Sequence, residues 1–122
     1  MHPLLSCGKE CLLFSSALKK GSIELLILSL LEAETRHGYE LGKLIESRSG
    51  GILRFEISSL YPVLAKMEDR RWIKGRWVEK DGERRRKFYR LTARGRTALL
   101  KQRQTWVSYA DAVNQVVGLS QA

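Results

Sequence analysis

Apolar residues recur at helical spacing near the middle of the chain, at Leu60, Leu64 and Met67. Steps of four and three residues predict a helix over residues 57–73 with one buried stripe. Ser58 is predicted to cap this helix, with Pro62 in its first turn, where a missing N–H costs little. The opposite face carries small or hydrogen-bonding residues, namely Tyr61, Pro62, Ala65, Lys66 and Asp69. Such a helix fits a nucleic-acid groove, and the alternative is an ordinary amphipathic surface helix.

Two further helices are predicted before this one. A break in the pattern at residues 19–21 is followed by Ser22, which is predicted to cap the helix IELLILSLLEAE. Because that segment is apolar nearly all round, we expect it to be the central core helix. After a turn at residues 35–38, another helix is predicted over residues 39–48, ending at residues 49–51 (Ser-Gly-Gly).

After the middle helix the pattern changes from helical to alternating. Ile73, Gly75 and Trp77 follow one strand, and residues 88–91 belong to a second. The Asp-Gly dipeptide at residues 81–82 is a strong signal for the turn between them. The sequence therefore predicts a two-stranded β-hairpin.

A long helix is predicted to follow the hairpin, capped by Thr92 and running from Ala93 to about Val117. Its seam positions alternate four and three residues apart, as in a coiled coil: Leu99, Arg103, Trp106, Ala110, Val113 and Val117. The other helices already share one core, so we predict that this seam forms a homodimer interface. The alternative is that the helix folds back on the first helix of its own chain.

Positive charge is concentrated around the hairpin. The chain of 122 residues is long enough for one compact domain and carries a net charge of +9. Residues 70–96 contain twelve Lys or Arg and three Asp or Glu, so the net charge of this segment equals the net charge of the whole chain. The densest part is Arg84-Arg85-Arg86-Lys87. This balance favours polyanionic partners such as DNA, RNA or an acidic membrane surface.

Several classes of function are not expected. No apolar run approaches the ~20 residues of a membrane-spanning helix, and no P-loop, HExxH or Gly-x-Ser-x-Gly motif indicates an enzyme. His2, Cys7 and Cys11 match no zinc-site spacing, so neither a metal nor a cofactor is predicted. Two cysteines fit a reducing compartment, and we expect a cytoplasmic protein with no membrane partner, at the nucleoid when bound to DNA.

Three helices followed by a basic hairpin is the order of a winged helix-turn-helix domain. The chain resembles PadR-type transcriptional regulators of the short kind with a single C-terminal helix. The resemblance rests on His37-Gly38-Tyr39-Glu40-Leu41, Leu60-Tyr61-Pro62-Val63-Leu64, Met67-Glu68 and Phe88-Tyr89-Arg90-Leu91-Thr92-Ala93-Arg94-Gly95. We expect a mainly α fold with a small β-hairpin, divided into an N-terminal extension (1–18), a winged helix-turn-helix DNA-binding domain (19–91) and a C-terminal dimerisation helix (92–122). The family often has Gly-Leu-Ile where this chain has Arg71-Trp72-Ile73.

The resemblance implies a sequence-specific repressor, which binds an inverted-repeat operator in double-stranded DNA as a homodimer and is released by a small-molecule effector. Its recognition helix would run from Ser58 to Lys66. The DNA-binding candidates are Arg36, His37, Tyr39, Ser58, Ser59, Tyr61, Pro62, Lys66, Arg84, Arg85, Arg86 and Lys87. Trp106, with Tyr109, is the candidate for stacking on a flat effector, and the alternative for Trp106 is a plain interface anchor. A nucleic-acid binder without sequence preference and a protein-interaction adaptor are the alternative functions.

Overall fold

Four helices and one three-stranded sheet form the fold in a computed structural model, which describes residues 16–80 and 82–119. The elements are α1 (Ser16–Ala33), β1 (Arg36–His37), α2 (Gly38–Arg48), α3 (Ile57–Asp69), β2 (Ile73–Val78), β3 (Arg86–Leu91) and α4 (Ala93–Val117). The predicted fold class, a mainly α winged helix-turn-helix with a long last helix, is confirmed. His2, Cys7, Cys11 and Asp81, with most of the predicted extension, lie outside the described residues.

The first helix begins earlier than predicted. It starts at Ser16, so the prediction that Ser22 caps it is wrong, and Gly21 lies inside it. A Cβ at Gly21 would meet nothing within 4 Å, so this glycine costs only its poor helix propensity, about 1 kcal/mol. The helix is the predicted core helix, and its buried residues are Ile23, Ile27, Leu28, Leu30 and Leu31. The predicted boundary between residues 18 and 19 falls within α1.

The third helix has the predicted buried stripe, made of Leu60, Leu64 and Met67. Its start differs from the prediction, because Glu56 occupies the N-cap position without a capping side-chain bond and Ser58 lies in the first turn. Ile57, which lies before the predicted cap Ser58, packs against the core and is the first residue of the helix. Pro62 therefore lies in the second turn, where its missing N–H leaves the Ser58 carbonyl without the usual helical donor.

A left-handed residue ends α3 and turns the chain into the sheet. Arg71 has a φ of 64°, its N–H donates to the Glu68 carbonyl at 2.9 Å, and the Trp72 N–H donates to the Met67 carbonyl at 3.0 Å. These two bonds form a Schellman motif, in which glycine usually occupies the left-handed position. The departure of this chain from the Gly-Leu-Ile pattern therefore puts an arginine where backbone geometry favours glycine.

The sheet is antiparallel, in the order β1-β3-β2. Strands β2 and β3 form the predicted hairpin, with Ile73 opposite Leu91. The stretch predicted as a plain turn before α2 contains β1, in which Arg36 lies opposite Tyr89. A strand of two residues is too short to produce an alternating pattern, so only its pairing with β3 defines it.

The last helix matches its predicted bounds. The Thr92 hydroxyl oxygen accepts the Gly95 N–H at 3.0 Å and so caps α4, as predicted. A Cβ at Gly95 would meet the Trp72 carbonyl oxygen, which means that the helix starts in direct contact with the end of the α3–β2 bend. The first part of α4 then packs on α1, where Leu99 joins the core.

Candidate nucleic-acid interface

The face of α3 opposite its buried stripe is exposed, as predicted. It carries the candidate residues Ser58, Ser59, Tyr61, Pro62 and Lys66. Tyr61 is 51% exposed. Within the described residues, none of these side chains donates or accepts a hydrogen bond. The polar groups of this face are therefore available to a ligand in solution.

His37 connects the start of α2 to the hairpin. Its Nδ1 accepts the Glu40 N–H at 3.2 Å, which caps α2, and its ring meets Phe88 edge-on at 5.1 Å between centroids. Its Nε2 lies 3.1 Å from the Arg86 guanidinium. Burial lowers the pKa of His37 below 6.5, the positive charge of Arg86 lowers it further, and Glu40 opposes both. These effects therefore favour the neutral form of the ring.

The neutral ring has consequences for Arg86. Since Nδ1 of His37 accepts the capping N–H, the neutral tautomer carries its proton on Nε2. The contact between Nε2 and the Arg86 guanidinium then joins two donors, and neither satisfies the other. A phosphate oxygen beside the pair, within hydrogen-bond distance of both nitrogens, would accept from both, so this pair forms a ready anion contact.

Arg36 is not at this surface, and its prediction as a DNA contact is wrong. Its side chain is buried, its Nε donates to the Leu30 carbonyl at 2.9 Å, and its Nη1 donates to Glu40 at 3.1 Å. Leu30 is in the last turn of α1, where carbonyls lack helical partners. Arg36 therefore satisfies the end of the core helix and has no access to a large ligand.

A carboxylate connects the hairpin to α3. The Glu68 Oε2 accepts the Gly75 N–H at 3.1 Å, and its Oε1 accepts from the Lys87 ammonium at 3.0 Å. A Cβ at Gly75 would meet Lys87 Cε and would lie 3.0 Å from the Glu68 carboxylate, so a side chain here would displace Lys87 from its contact with Glu68. Lys87, a candidate contact, is thus already paired within the protein.

Trp77 is a surface residue that the sequence analysis used only to define a strand. It is 54% exposed, with the Arg85 guanidinium 4.6 Å and the Lys87 ammonium 5.9 Å from its ring centroid. These cation–π contacts orient Arg85 on the α3 side of the hairpin. The available signal was the alternation itself, which puts Trp77 on the same strand face as Gly75. Behind this aromatic layer, burial raises the pKa of Tyr89 to about 12.

The start of α2, the outward side of α3 and the hairpin surround one groove of about 870 Å³. The candidate residues that line it are His37, Tyr39, Tyr61, Arg84, Arg85, Arg86 and Lys87. The remaining candidates on α3 lie on its exposed face beside the groove. The groove thus combines exposed aromatic groups with three arginines that form no ion pair to a described acid. Its chemistry suits a polyanion.

A second groove, of about 1070 Å³, runs between α1 and α4. It is lined on one side by Leu25 of α1, on the other by Trp106 and Tyr109 of α4, and at one end by Trp72. The two residues predicted to contact an effector are therefore brought together here with residues of the first helix. Apolar and aromatic walls suit a flat organic molecule.

The predicted seam of α4 divides into two parts. Leu99 is only 1% exposed and belongs to the core of its own chain, so it is unavailable to a partner and its prediction as an interface residue is wrong. Arg103 donates to Glu32 of α1 at 2.8 Å, and this hydrogen bond lowers the pKa of Glu32. Farther on, Trp106, Val113 and Val117 are exposed apolar residues.

Metal and membrane features are absent from the part of the chain that the structure describes. Residues 16–80 and 82–119 contain no group of three or more His, Cys, Asp or Glu that could hold a metal ion. The same residues contain no helix long and apolar enough to cross a membrane.

Comparison with known proteins connects this geometry to one family. Residues 27–101 match the model of the transcriptional regulator PadR-like family. A solved transcriptional regulator from Clostridium thermocellum is 27% identical, with a TM-score of 0.76 over 82% of this chain and 97% of that one. A PadR family transcription regulator from Clostridium difficile is 30% identical, with a TM-score of 0.69 over 79% of this chain and 98% of that one.

One solved relative contains DNA. The Bacillus subtilis PadR structure in complex with operator DNA is 26% identical, with a TM-score of 0.61 over 66% of this chain and 45% of that one. Among curated proteins, an uncharacterized protein of Lysinibacillus sphaericus is 24% identical over 95 residues, which is 78% of this chain and 87% of that protein.

Proposed function

Because the chain belongs to the transcriptional regulator PadR-like family, whose members regulate transcription and are not enzymes, we propose that it is a repressor that binds operator DNA as a homodimer. The observation that carries this proposal is the groove of α2, α3 and hairpin, in which Arg84, Arg85 and Arg86 form no ion pair with any acid that the structure describes. The Bacillus subtilis relative bound to operator DNA supports duplex DNA as the ligand.

In this proposal α3 enters the major groove. Tyr61 and Lys66 reach base edges or phosphates, and the N–H groups at the helix start, with Ser58 and Ser59, bind a phosphate. His37 and Arg86 both donate to a second phosphate that lies beside them. Tyr39 adds a backbone contact, and Pro62 keeps this face of α3 flat for close approach.

The hairpin supplies affinity that does not depend on sequence. Arg84 and Arg85 are exposed at its α3 side. Each contact that they make with a DNA phosphate releases counterions, which makes the contact favourable. Lys87 is held by Glu68, so it contributes less than its unpaired neighbours. Specificity therefore comes from α3, and the salt dependence comes mainly from the hairpin.

Dimerisation through α4 would present two recognition helices to one face of the duplex. The exposed apolar residues Trp106, Val113 and Val117, with Ala110 and with Arg103 at the edge, are the surface for this contact. Half-sites would lie about one helical turn apart, ~34 Å, which makes the operator an inverted repeat.

The groove between α1 and α4 is proposed as the effector site. A flat molecule stacked on Trp106 and Tyr109 would contact both helices. Because α4 also carries the dimer contact, occupancy of the groove would change the spacing of the two hairpins and lower DNA affinity. If Trp106 only anchors the interface, its replacement by phenylalanine should preserve dimerisation and leave effector response unchanged.

The test is selection of random duplex DNA by the purified protein, followed by sequencing. We expect enrichment of one inverted repeat, bound at least ~1,000-fold more tightly than random DNA. The triple variant R84Q/R85Q/R86Q should bind that repeat with a smaller salt slope, and Y61A should lose the sequence preference. Recovery of a sequence-blind, salt-sensitive pool would favour the general nucleic-acid binder. No DNA retention at near-physiological salt would favour the protein adaptor.

A further inference from the structure

The sheet has a second basic surface on the side away from α3. Ile73, Tyr89 and Leu91 point to the core. Because side chains alternate along a strand, the residues between them face outward. Together with flanking residues, they line a shallow groove of about 560 Å³. We define the outer sheet surface as Thr35, Lys74, Arg76, Val78, Phe88 and Arg90.

The cations of this surface are uncompensated. Lys74 lies directly opposite Arg90 on the neighbouring strand, a pairing of like charges that destabilises a sheet. Within the described residues, neither these two side chains nor Arg76 forms an ion pair or a hydrogen bond. A bound polyanion would relieve the repulsion among the three.

The spacing of the three cations fits a phosphate backbone. Lys74 and Arg76 are two residues apart on one strand, which separates their Cα atoms by ~6.7 Å. Successive phosphates along a strand of duplex DNA are a comparable distance apart. Phe88 and Val78 are half-buried and form an apolar floor, which excludes water and strengthens a charge contact above it.

This surface adjoins the groove of α2, α3 and hairpin, but its three cations lie outside that groove. The two have no lining residue in common, and a small depression that Val78 and Phe88 share with His37 and Arg86 lies between them. Trp77 and Lys87 face one side, whereas Arg76 and Phe88 face the other. A duplex seated against α3 and Trp77 therefore leaves Lys74, Arg76 and Arg90 uncovered.

We propose that the outer sheet surface binds the backbone of a second DNA duplex, so that the protein bridges two duplexes. Contact would be independent of base sequence, because long cationic side chains over an apolar floor recognise charge and not base edges. The proposal depends on the proposed function only in taking DNA as the polyanion.

The test is a bridging assay with the full chain. Biotinylated duplex carrying the selected inverted repeat is immobilised and loaded with protein, and a labelled duplex of scrambled sequence is then offered at low salt. The variant K74Q/R76Q/R90Q is compared with R48Q/R71Q/R96Q, which removes the same charge from exposed arginines elsewhere. We expect the wild type and the control to capture the labelled duplex, and the outer-surface variant to capture about tenfold less with unchanged operator affinity.

Other outcomes would overturn the proposal. The proposal would be contradicted if all three proteins captured the labelled duplex equally, or if the wild type captured none of it. Displacement by poly-glutamate as effective as displacement by DNA of equal charge would identify an acidic polypeptide as the occupant. If the variant weakened binding to a long operator duplex but not to a short one, with capture unchanged, the surface would hold flanking DNA of the same duplex. Failure of the wild type to prefer any operator would contradict the proposed function instead, and immobilised random duplex would still test bridging.

Discussion

The two side chains of β1 point to opposite faces of the sheet, and this separates their roles. Arg36 reaches inward and satisfies the Leu30 carbonyl at the end of α1. His37 points outward, caps α2 and lies beside Arg86. Arg36 thus holds the core together, and His37 is free to take part in the proposed phosphate contact. A neutral His37 can accept the Glu40 N–H at Nδ1, and it adds no positive charge beside the Arg86 guanidinium.

The low pKa of His37 predicts a pH-dependent stability. The folded protein holds the ring neutral below the usual pKa of 6.5, whereas the unfolded chain protonates it there. The contribution of the neutral ring to the free energy of unfolding is therefore complete above the pKa of His37 in the unfolded chain. It is lost as the pH falls from there through the pKa of His37 in the folded protein. When the pH is lowered from about 8 to about 5, the Tm of H37N should fall less than the Tm of the wild type, since asparagine caps a helix without titrating. Parallel Tm curves for the two proteins would contradict this account.

The left-handed Arg71 predicts a stabilising substitution. R71G should raise the free energy of unfolding by about 1 kcal/mol, because glycine accepts a positive φ without steric cost. R71A keeps the Cβ and removes the same charge, so it should give no such gain. Urea denaturation of the three proteins measures the difference. An equal gain in both variants would indicate a charge effect in place of a backbone effect.

At the scale of elements, the hairpin is fixed to α3 by one carboxylate. Glu68 holds the Gly75 N–H and the Lys87 ammonium at the point where strand and helix approach most closely. The bond sets the angle between the hairpin and the exposed face of α3, so both can meet one duplex. It also neutralises one positive charge that would otherwise face DNA.

Removing the negative charge of Glu68 should alter DNA binding in a specific way. E68Q frees Lys87, so the salt dependence of binding to random DNA should steepen by about one unit of slope. Because the hairpin is also less firmly held, hydrogen exchange of the β2 and β3 amides should quicken. D69N removes the same charge from an exposed neighbour with no bond to the hairpin. If D69N matched E68Q in both measurements, the connection through Glu68 would not be the cause.

For the whole molecule, α4 has two roles along its length. Its first part completes the core through Leu99 and the Arg103–Glu32 pair. Its last part presents exposed apolar side chains, among them Val113, Val116 and Val117. A single chain leaves this surface in water, which is the physical reason for expecting a second copy.

A charge in the exposed part of α4 should therefore separate the proposed dimer. V113E is expected to raise the dimer dissociation constant about a hundredfold and to weaken operator binding, because two half-sites are then bound independently. Q115E adds the same charge away from the seam and should leave both unchanged. Sedimentation velocity across a range of concentrations measures the first effect. An unaltered V113E dimer would mean that the interface lies elsewhere.

The local signals in the sequence determined most of the elements. The stripe of Leu60, Leu64 and Met67 and the cap at Thr92 each depend on residues within a few positions, so pattern and propensity were sufficient to predict them. The hairpin likewise followed from alternation and a turn dipeptide. With the charge cluster between Arg84 and Lys87, these were enough to indicate the fold class and a polyanionic ligand.

Only the tertiary structure decided how the side chains are used. Arg36 carries the charge of a DNA contact, yet its partner carbonyl on α1 keeps it inside, and Leu99 fits the seam but is covered by its own core. The pairing of β1, the Glu68 contact with the hairpin and the outer sheet surface likewise depend on residues far apart in the chain. Sequence periodicity gives the face of an element, whereas the neighbour that covers that face is set by how the elements pack.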